Sequence, residues 1–355
     1  MAKKILIVDD SALVRKQLRE IIETLDFDID IAKNGKEAVE KATLMQYNVI
    51  TMDINMPVMD GIQAVKEIME KQPTAILMVS SLTTQDATIT MDALELGAID
   101  YIAKPGTMNV GKNENREEIL QKVKSLSRIP VRRLKRLNTR PLKRERNFSD
   151  RSHKVSSIQE LSSVDITKVV LIGSSTGGPG LIEQICSSLP ANYKYPVCIV
   201  QHMPEQFTSA FAQRLDRTSL LPVHESANNI ELLPGNIYVA RGGVHMTFTK
   251  KISGKVVIKE DKEKGDNFFQ PSVNNMMKSA LNVFEAKNLV GVILTGIGDD
   301  GADAMVEMKK RGAYTLAESE NSATVYGMPK EAYDRGGVME QLDFKDILKK
   351  IATLK

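Results

Sequence analysis

Apolar positions in the first part of the chain alternate between short β-branched runs and longer stretches of helical spacing. The short runs predict five strands, at residues 4–8, 29–32, 49–52, 76–79 and 101–103. Amphipathic segments follow these runs, and the first places its apolar residues on one helical face, at Val14, Leu18, Ile21 and Leu25. Five strand–helix units of this length predict an α/β domain with a doubly wound, five-stranded parallel sheet.

The later part of the chain also has an α/β pattern, with less regular spacing of its strands. Buried strands are predicted at residues 169–172, 197–200 and 289–294. Segments that alternate polar and apolar residues predict a β-hairpin excursion, at residues 236–240, 245–249 and 255–259. We therefore predict a Rossmann-like α/β domain with a β-hairpin excursion.

A basic stretch separates the two halves. Residues 128–154 hold eleven Lys or Arg and two acidic residues, whereas the whole chain has a formal net charge of +3. Few apolar residues and two prolines favour a solvated linker, although a basic run can also bind nucleic acid or an anionic membrane surface. Because 355 residues exceed one ordinary domain, we predict domains at 1–127 and 165–355, joined by a basic linker at 128–164.

Composition excludes several classes of protein. Hydrophobic residues at 42% and charged residues at 26% are typical of a globular chain rather than a disordered one. No apolar run approaches the roughly 18 residues of a membrane-spanning helix, and the opening MAKKILIVDD lacks the apolar stretch of a signal peptide. Cys186 and Cys198 have neither disulfide-framework nor metal-site spacing. We therefore expect a soluble, cytoplasmic protein without membrane insertion.

Chemically distinctive residues follow four predicted strands of the first half, in chain order Asp9 with Asp10, Asp53, Ser80 and Lys104. Ligands of open α/β sheets bind at the carboxyl ends of the strands, and carboxylates gathered there suit Mg²⁺. A carboxylate beside Mg²⁺ can carry an acyl phosphate, whose oxygens a lysine and a hydroxyl can hold. Taken singly, each aspartate could instead cap a helix or open a turn.

The motifs VDDSALVR, TMDINMPVMDG, MVSS and GAIDYIAKP resemble the receiver domain of the response-regulator family, over about residues 1–125. The resemblance implies that Asp53 is the phosphoacceptor and that Asp9, Asp10 and Asp53 bind Mg²⁺ for phosphorylation.

The same resemblance implies three residues that respond to the phosphoryl group. Ser80 is the switch hydroxyl, Lys104 is the phosphate-contacting lysine and Tyr101 is the rotating aromatic residue. Since a receiver rarely acts alone, we expect the second half of the chain to carry the output activity.

The junction after the first strand of the second half reads GSSTGGPG. Residues 173–177 fit Gly-x-Ser-x-Gly, a tight elbow that exposes Ser175 at the end of a strand. Glycine frees the backbone for the sharp turn, and the N-terminus of the following helix favours developing negative charge. A phosphate-binding loop and a simple glycine-rich connection are the alternatives, although the Gly-Lys-Ser/Thr and GxGxxG patterns are missing.

Two further strand ends supply partners for Ser175. One strand runs into QHMP, which places His202 at the same sheet edge, and the late strand ends in TGIGDDG. An imidazole can take the serine proton, and a carboxylate can hold the imidazole tautomer. Asp299 and Asp300 both suit that second role, and the other could cap the helix that follows. The remaining histidines are interpreted as structural, surface or linker residues, at His153, His224 and His245.

The combination of IGSSTGGPG, QHMP and LTGIGDDGA resembles the catalytic domain of the chemotaxis protein-glutamate methylesterases, the CheB family. Receiver, linker and catalytic domain in this order match that family over nearly the whole chain. The resemblance implies a cytoplasmic serine hydrolase that demethylates glutamate methyl esters on chemoreceptors and releases methanol, with deamidation of receptor glutamines as a further activity. It also implies a chemotaxis histidine kinase as phosphodonor and no cofactor for ester hydrolysis.

The resemblance assigns the site residues of this hydrolase. Ser175 is the nucleophile, His202 the base and Asp300 the triad carboxylate. The backbone N–H groups of Ile297 and Thr176 belong to the oxyanion hole. The sequence departs mildly from the common family pattern, with Ser174 for alanine, Ile297 for methionine and Asp299 for asparagine.

The alternative from another functional class is a response regulator whose output domain binds nucleic acid through the basic linker. However, no helix-turn-helix pattern is present, the output half is α/β, and aromatic residues make up only 5% of the chain. These observations favour the hydrolase, and we expect no nucleic-acid partner.

Overall fold

The computed structural model describes residues 3–81, 83–106, 112–138 and 166–354. The chain divides into two compact units, Met1–Lys143 and Arg144–Lys355. Each unit has its own parallel sheet and its own hydrophobic core. Among the described residues, no helix is both long enough and apolar enough to cross a bilayer.

The first unit is built on a five-stranded parallel sheet in the order β2-β1-β3-β4-β5. Its strands are β1 (Lys3–Val8), β2 (Phe27–Ala32), β3 (Val49–Asp53), β4 (Ile76–Ser80) and β5 (Asp100–Ala103). Its described helices are α1 (Ala12–Ile22), α2 (Gly35–Leu44), α3 (Gly61–Lys71), α4 (Thr84–Glu95), α5 (Lys112–Leu126) and α6 (Val131–Asn138). The predicted fold class of this half is confirmed.

Helix α1 begins immediately after the two adjacent aspartates, but neither of them caps it. Ser11 is the N-cap, and its hydroxyl accepts a hydrogen bond from the Val14 amide at 3.4 Å. Asp9 instead accepts the Ser11 amide at 2.8 Å. The Asp9 and Asp10 carboxylates therefore remain at the sheet edge rather than serving the first turn of the helix.

Helix α6 lies within residues 128–164, the segment interpreted as a linker. Leu134 of this helix is buried in the core of the first unit, and Ile129 packs against that core. One buried leucine among many basic residues leaves too little apolar periodicity for a sequence pattern to reveal the helix. Residues 139–165 lie outside the described residues, so the domain bounds remain predictions.

The second unit has a seven-stranded parallel sheet in the order β14-β13-β12-β6-β7-β9-β8. Its strands are β6 (Val169–Ser174), β7 (Val197–Gln201), β8 (Val223–Glu225), β9 (Ile237–Val239), β12 (Leu289–Ile293), β13 (Tyr314–Glu318) and β14 (Glu340–Leu342). Its described helices are α7 (Pro179–Ser188), α8 (Glu205–Thr218), α9 (Val273–Val283), α10 (Ala302–Lys310), α11 (Met328–Asp334) and α12 (Phe344–Ala352).

Two of the three segments predicted for the hairpin excursion form it. Strands β10 (His245–Lys250) and β11 (Val256–Asp261) make an antiparallel pair outside the main sheet. Strand β9, within residues 236–240, instead pairs in parallel with β7 and β8. All three of its residues are buried, which suits a strand of a covered parallel sheet better than a half-exposed hairpin.

Strand β6 lies between β12 and β7, so the strand order reverses at this point of the sheet. Such switch points form crevices beyond the carboxyl ends of parallel strands. Gly173 near the end of β6 lets helix α9 come close, since a Cβ there would lie 2.5 Å from Val273 Cγ1. Strand ends and the start of α9 therefore converge on one edge of the sheet.

Candidate active site and acidic cluster

Ser175 and His202 follow residues that are paired across adjacent parallel strands. Ser174 of β6 is in register with Gln201 of β7, and the His202 amide donates to the Ser174 carbonyl at 3.0 Å. Ser175 is 4% exposed and His202 is 8% exposed. The fold thus brings the predicted nucleophile and base to the same point of the sheet edge.

The Gln201 side chain connects the ends of these two strands. Its Oε1 accepts a hydrogen bond from the Ser174 hydroxyl at 2.7 Å, and its Nε2 donates to the Ser175 carbonyl at 3.0 Å. All three residues are buried, so these bonds satisfy groups that have little access to water. The Ser174 hydroxyl is therefore engaged inside the sheet, next to the residue predicted to react.

The His202 ring contacts a carboxylate along its edge and an aromatic ring on its face. Nε2 lies 2.8 Å from Asp300 Oδ2, and the ring stacks on Phe269 with centroids 3.9 Å apart and planes 17° apart. Nδ1 is buried and has no hydrogen-bond partner among the described residues. The structure thus orients the imidazole from two sides and leaves its second nitrogen available.

The Asp300 carboxylate lies at the N-terminus of helix α9. It accepts the Val273 and Asn274 amides at 2.6 and 2.9 Å, and the hydroxyl of the helix N-cap, Ser272, at 2.9 Å. Burial on its own raises the pKa of Asp300, but the His202 ring and these backbone amides outweigh it and hold that pKa below its ordinary value. Asp300 is therefore ionised at neutral pH, and a hydrogen bond to it places the imidazole proton on Nε2.

The neighbouring aspartate has a different environment. The Asp299 carboxylate is 60% exposed and pairs with Arg335 at 2.5 Å. Its carbonyl accepts the Ala302 amide, but the N-cap of α10 is Gly301 and no side chain caps that helix. Of the two candidate aspartates, only Asp300 contacts His202.

The turn after β12 packs against the serine elbow. The Ser175 amide donates to the Thr295 carbonyl at 3.0 Å, and a Cβ at Gly296 would lie 2.9 Å from Ser175 Cβ. Ile297 follows Gly296 directly, and Thr176 follows Ser175 with 1% exposure. Each predicted oxyanion residue therefore directly follows one of the two residues, Ser175 and Gly296, that approach each other here.

His245 is a buried residue behind the predicted triad carboxylate. It is fully buried, and its Nδ1 accepts the Ser272 amide at 3.0 Å. The interpretation of His245 as structural agrees with this position, but its link to the Asp300 cap was not foreseen. Ser272 carried a usable signal, since a serine directly before the Val273 helix is a common N-cap. Phe269 carried none, because a loop residue stacks on His202 only in the folded chain.

The three predicted acidic residues of the first unit come together. Oxygen atoms of Asp9, Asp10 and Asp53 all lie within 4.8 Å of one another. Lys104 Nζ lies 2.9 Å from Asp53 Oδ2 and 3.3 Å from Asp9 Oδ2. Burial raises the pKa of Asp53 to about 6, against the opposing effect of Lys104. An all-oxygen set of crowded carboxylates fits a hard cation such as Mg²⁺.

The other two predicted receiver residues, Ser80 and Tyr101, are both buried in the first unit. Ser80 is fully buried at the end of β4, and its carbonyl accepts the Lys104 amide at 2.8 Å. Tyr101 is 3% exposed, and burial raises its pKa well above the ordinary value. Lys122 lies 5.1 Å from the Tyr101 ring centroid and donates to the Tyr101 carbonyl at 2.8 Å. The tyrosine ring is therefore inside the unit.

Comparison with known proteins identifies the families that the two halves of the chain match. Residues 5–116 match the response regulator receiver domain, and residues 170–351 match the CheB methylesterase. A protein-glutamate methylesterase/protein-glutamine glutaminase 2 of Carboxydothermus hydrogenoformans is 46% identical over 99% of this chain and 98% of its own length. A protein-glutamate methylesterase/protein-glutamine glutaminase of Caldanaerobacter subterraneus subsp. tengcongensis is 43% identical over 95% of this chain and 93% of its own.

A solved structure resembles the second unit. The Thermotoga maritima CheB methylesterase catalytic domain has a TM-score of 0.51 and 36% identity, and the match covers 54% of this chain and 100% of that one. The fold and the two sites define a response regulator with a receiver domain and a hydrolase output domain. The chain belongs to the CheB family of protein-glutamate methylesterases/protein-glutamine glutaminases. The predicted family and enzyme class are confirmed. The output domain is a methylesterase by family, rather than the nucleic-acid-binding domain that was the alternative.

We predict that Asp300→Asn lowers the free energy of unfolding by about 1–3 kcal/mol at pH 7, because buried amides of α9 lose a charged acceptor. The lowered pKa of Asp300 means that its stabilisation is complete above the pKa of the unfolded carboxyl, near 3.8, and lost as pH falls through the lower folded value. Urea denaturation from pH 7 to pH 3 should therefore show the difference from wild type shrinking in acid.

Asp299→Asn is the matched control for this stability measurement, since its carboxylate is exposed and its ion pair with Arg335 contributes little. If the free energy of unfolding of Asp300→Asn were lower than that of wild type by the same amount at every pH, the ionised carboxylate would not be the source of the stabilisation.

Proposed function

We propose that this protein hydrolyses glutamate methyl esters on chemoreceptors, with Ser175 as nucleophile, His202 as base and Asp300 as the orienting carboxylate. The observation that carries the proposal is the Asp300–His202 contact of 2.8 Å beside the Ser175 elbow. Membership of the CheB family supports the substrate class, since the relatives are named protein-glutamate methylesterases.

The first step is attack of Ser175 on the ester carbonyl. Because Nε2 of His202 donates to Asp300, Nδ1 is the ring nitrogen that takes the serine proton. The tetrahedral intermediate places negative charge on the former carbonyl oxygen, which the backbone N–H groups of Ile297 and Thr176 stabilise. Asp300 stabilises the imidazolium without taking a proton, as its lowered pKa requires.

Collapse of the intermediate breaks the bond to the methoxy group. The imidazolium of His202 returns the proton to the leaving oxygen, methanol departs, and an acyl-enzyme on Ser175 remains. His202 then activates water, which releases the glutamate carboxylate and restores the serine. A glutamine side chain gives the same acyl-enzyme with loss of ammonia, so one site serves the deamidation named for the relatives. None of these steps needs a cofactor.

In the first unit, Asp9, Asp10 and Asp53 would hold Mg²⁺, and Asp53 would accept the phosphoryl group. The all-carboxylate donor set, in which Asp9 and Asp53 are buried and Asp10 is exposed, supports this assignment. When bound, the cation would neutralise charge on the phosphoryl oxygens. Lys104 is placed to contact one of these oxygens, and Ser80 and Tyr101 are the residues that would respond to them.

The partners follow from the same family. A chemotaxis histidine kinase would supply the phosphoryl group, and methylated chemoreceptors would be the substrates. Both reactions would take place in the cytoplasm, without nucleic acid and without insertion into the membrane. We assign the receiver to residues 1–127 and the methylesterase domain to 165–355, joined through 128–164.

Ser175→Ala should lower ester hydrolysis by about 10⁴-fold or more, since a triad without its nucleophile retains little activity. Methanol release from methylated receptor membranes measures this loss. Ser174→Ala is the matched control, because its hydroxyl binds Gln201 inside the sheet and should retain activity within about tenfold. If Ser174→Ala lost activity and Ser175→Ala retained it, the nucleophile would be Ser174 instead.

Asp300→Asn should lower kcat by about 10³- to 10⁴-fold, because His202 loses the carboxylate that holds its tautomer and stabilises its cation. Asp299→Asn should be close to neutral, since that carboxylate pairs with Arg335 at the surface. Steady-state kinetics on both single variants test the assignment, and the reverse ranking of their rates would refute it.

Phosphorylation should change the rate of ester hydrolysis, and Asp53→Asn should lose this response. The test compares hydrolysis before and after addition of acetyl phosphate with Mg²⁺. Asp28→Asn is the control, because Asp28 is an exposed residue of β2 whose backbone is in register with Lys4, near the opposite end of β1 from Asp9. A full response in Asp53→Asn would exclude that residue as the phosphoacceptor.

A further inference from the structure

We propose that Glu318 is a positioning residue for the reaction of Ser175, acting through Thr295. This inference rests on the proposed ester hydrolysis and adds a residue outside the triad to it. Glu318 is the last residue of β13 and is fully buried. A buried carboxylate is unfavourable unless hydrogen bonds satisfy it, so its presence beside the active edge calls for a function.

The Glu318 side chain binds the turn that carries the predicted oxyanion donor. Its Oε2 accepts the Thr295 amide at 2.9 Å, and its Oε1 accepts the Ser322 hydroxyl at 2.9 Å. The pairing of β12 with β13 ends at Ile293 and Ala317, which are the last residues in register. The carboxylate thus provides an acceptor for a backbone amide just beyond the end of β12, where regular strand pairing has stopped.

Thr295 in turn forms hydrogen bonds with two residues of the elbow, Ser175 and Thr176. Its carbonyl accepts the Ser175 amide at 3.0 Å, and its hydroxyl donates to the Thr176 carbonyl at 2.8 Å. The same hydroxyl accepts the Val325 amide at 2.9 Å. Glu318 is therefore connected to Ser175 by hydrogen bonds through a single intervening residue, Thr295.

Loss of this acceptor would leave the Thr295 amide unsatisfied inside the protein, and the turn would rearrange to find another partner. Ser175 and Ile297 would then move relative to each other, because Thr295 binds the first and is two residues from the second. A displacement of about 1 Å between reacting groups can lower a rate by about 10²-fold. The effect belongs to kcat, since Glu318 is buried and does not touch the substrate.

The test uses full-length Glu318→Ala and Glu318→Gln. We expect Glu318→Ala to lower kcat by about tenfold or more and to change KM by less than about threefold. Glu318→Gln should restore kcat to within about threefold of wild type, because its amide oxygen can accept the Thr295 amide. The rate at which a fluorophosphonate labels Ser175 should fall and recover in parallel.

Thr315→Val is the matched control for a general loss of stability. Thr315 lies on the same strand, is fully buried, and also accepts a backbone amide with its side chain, from Met339 at 3.0 Å. Thermal denaturation should show both Thr315→Val and Glu318→Ala to be less stable, while only Glu318→Ala loses kcat. Thr295→Val should also lower kcat, and it serves as the second test if Glu318→Ala does not fold.

Three results would overturn the inference. They are a kcat in Glu318→Ala within about threefold of wild type, an equal loss in Thr315→Val, and no recovery in Glu318→Gln. Failure of the proposed function is distinguishable, since wild type would then release no methanol from methylated receptors. The labelling rate of Ser175 would still measure whether Glu318 positions the serine.

Discussion

The parallel alignment of β12, β6 and β7 is the constraint on which the second unit depends. Parallel strands end at the same edge of a sheet, so residues far apart in the chain meet there without a dedicated scaffold. Ser175, His202 and the turn leading to Asp300 all lie just beyond these three strand ends. Gly173 adds a second condition, because only a residue without Cβ lets α9 start against β6 and present its amides to Asp300.

Both units bury carboxylates at a sheet edge, but they satisfy them in opposite ways. In the first unit the crowding of Asp9 and Asp53 is only partly relieved by Lys104, and burial raises the pKa of Asp53 to about 6. In the second unit a helix N-terminus and a histidine satisfy Asp300, and its pKa lies below the ordinary value. The first arrangement leaves carboxylate oxygens crowded together, as suits a hard cation, whereas the second holds a single hydrogen-bond acceptor ionised and oriented.

Much of the support for the candidate active site comes from residues that are not expected to react themselves. Gln201 joins the ends of β6 and β7, Ser272 caps α9 while it binds Asp300, and Thr295 binds the elbow. Each makes more than one hydrogen bond between buried groups, which fixes positions more tightly than a single contact would. The same surroundings explain why Ser174 and Ser175 differ, since the Ser174 hydroxyl is already bound to Gln201.

The sequence by itself determined the fold class, the receiver motifs and the residues at the strand ends, because hydrophobic period and glycine-rich turns are local signals. The local pattern did not separate Asp299 from Asp300, since adjacent residues share it, and only the family resemblance favoured Asp300. The sequence also misassigned residues 236–240 to the hairpin, and it missed Phe269 on His202 and Glu318 behind Thr295. Those features are contacts between segments distant in the chain, and only tertiary packing decides which side chain faces the helix N-terminus and which faces water.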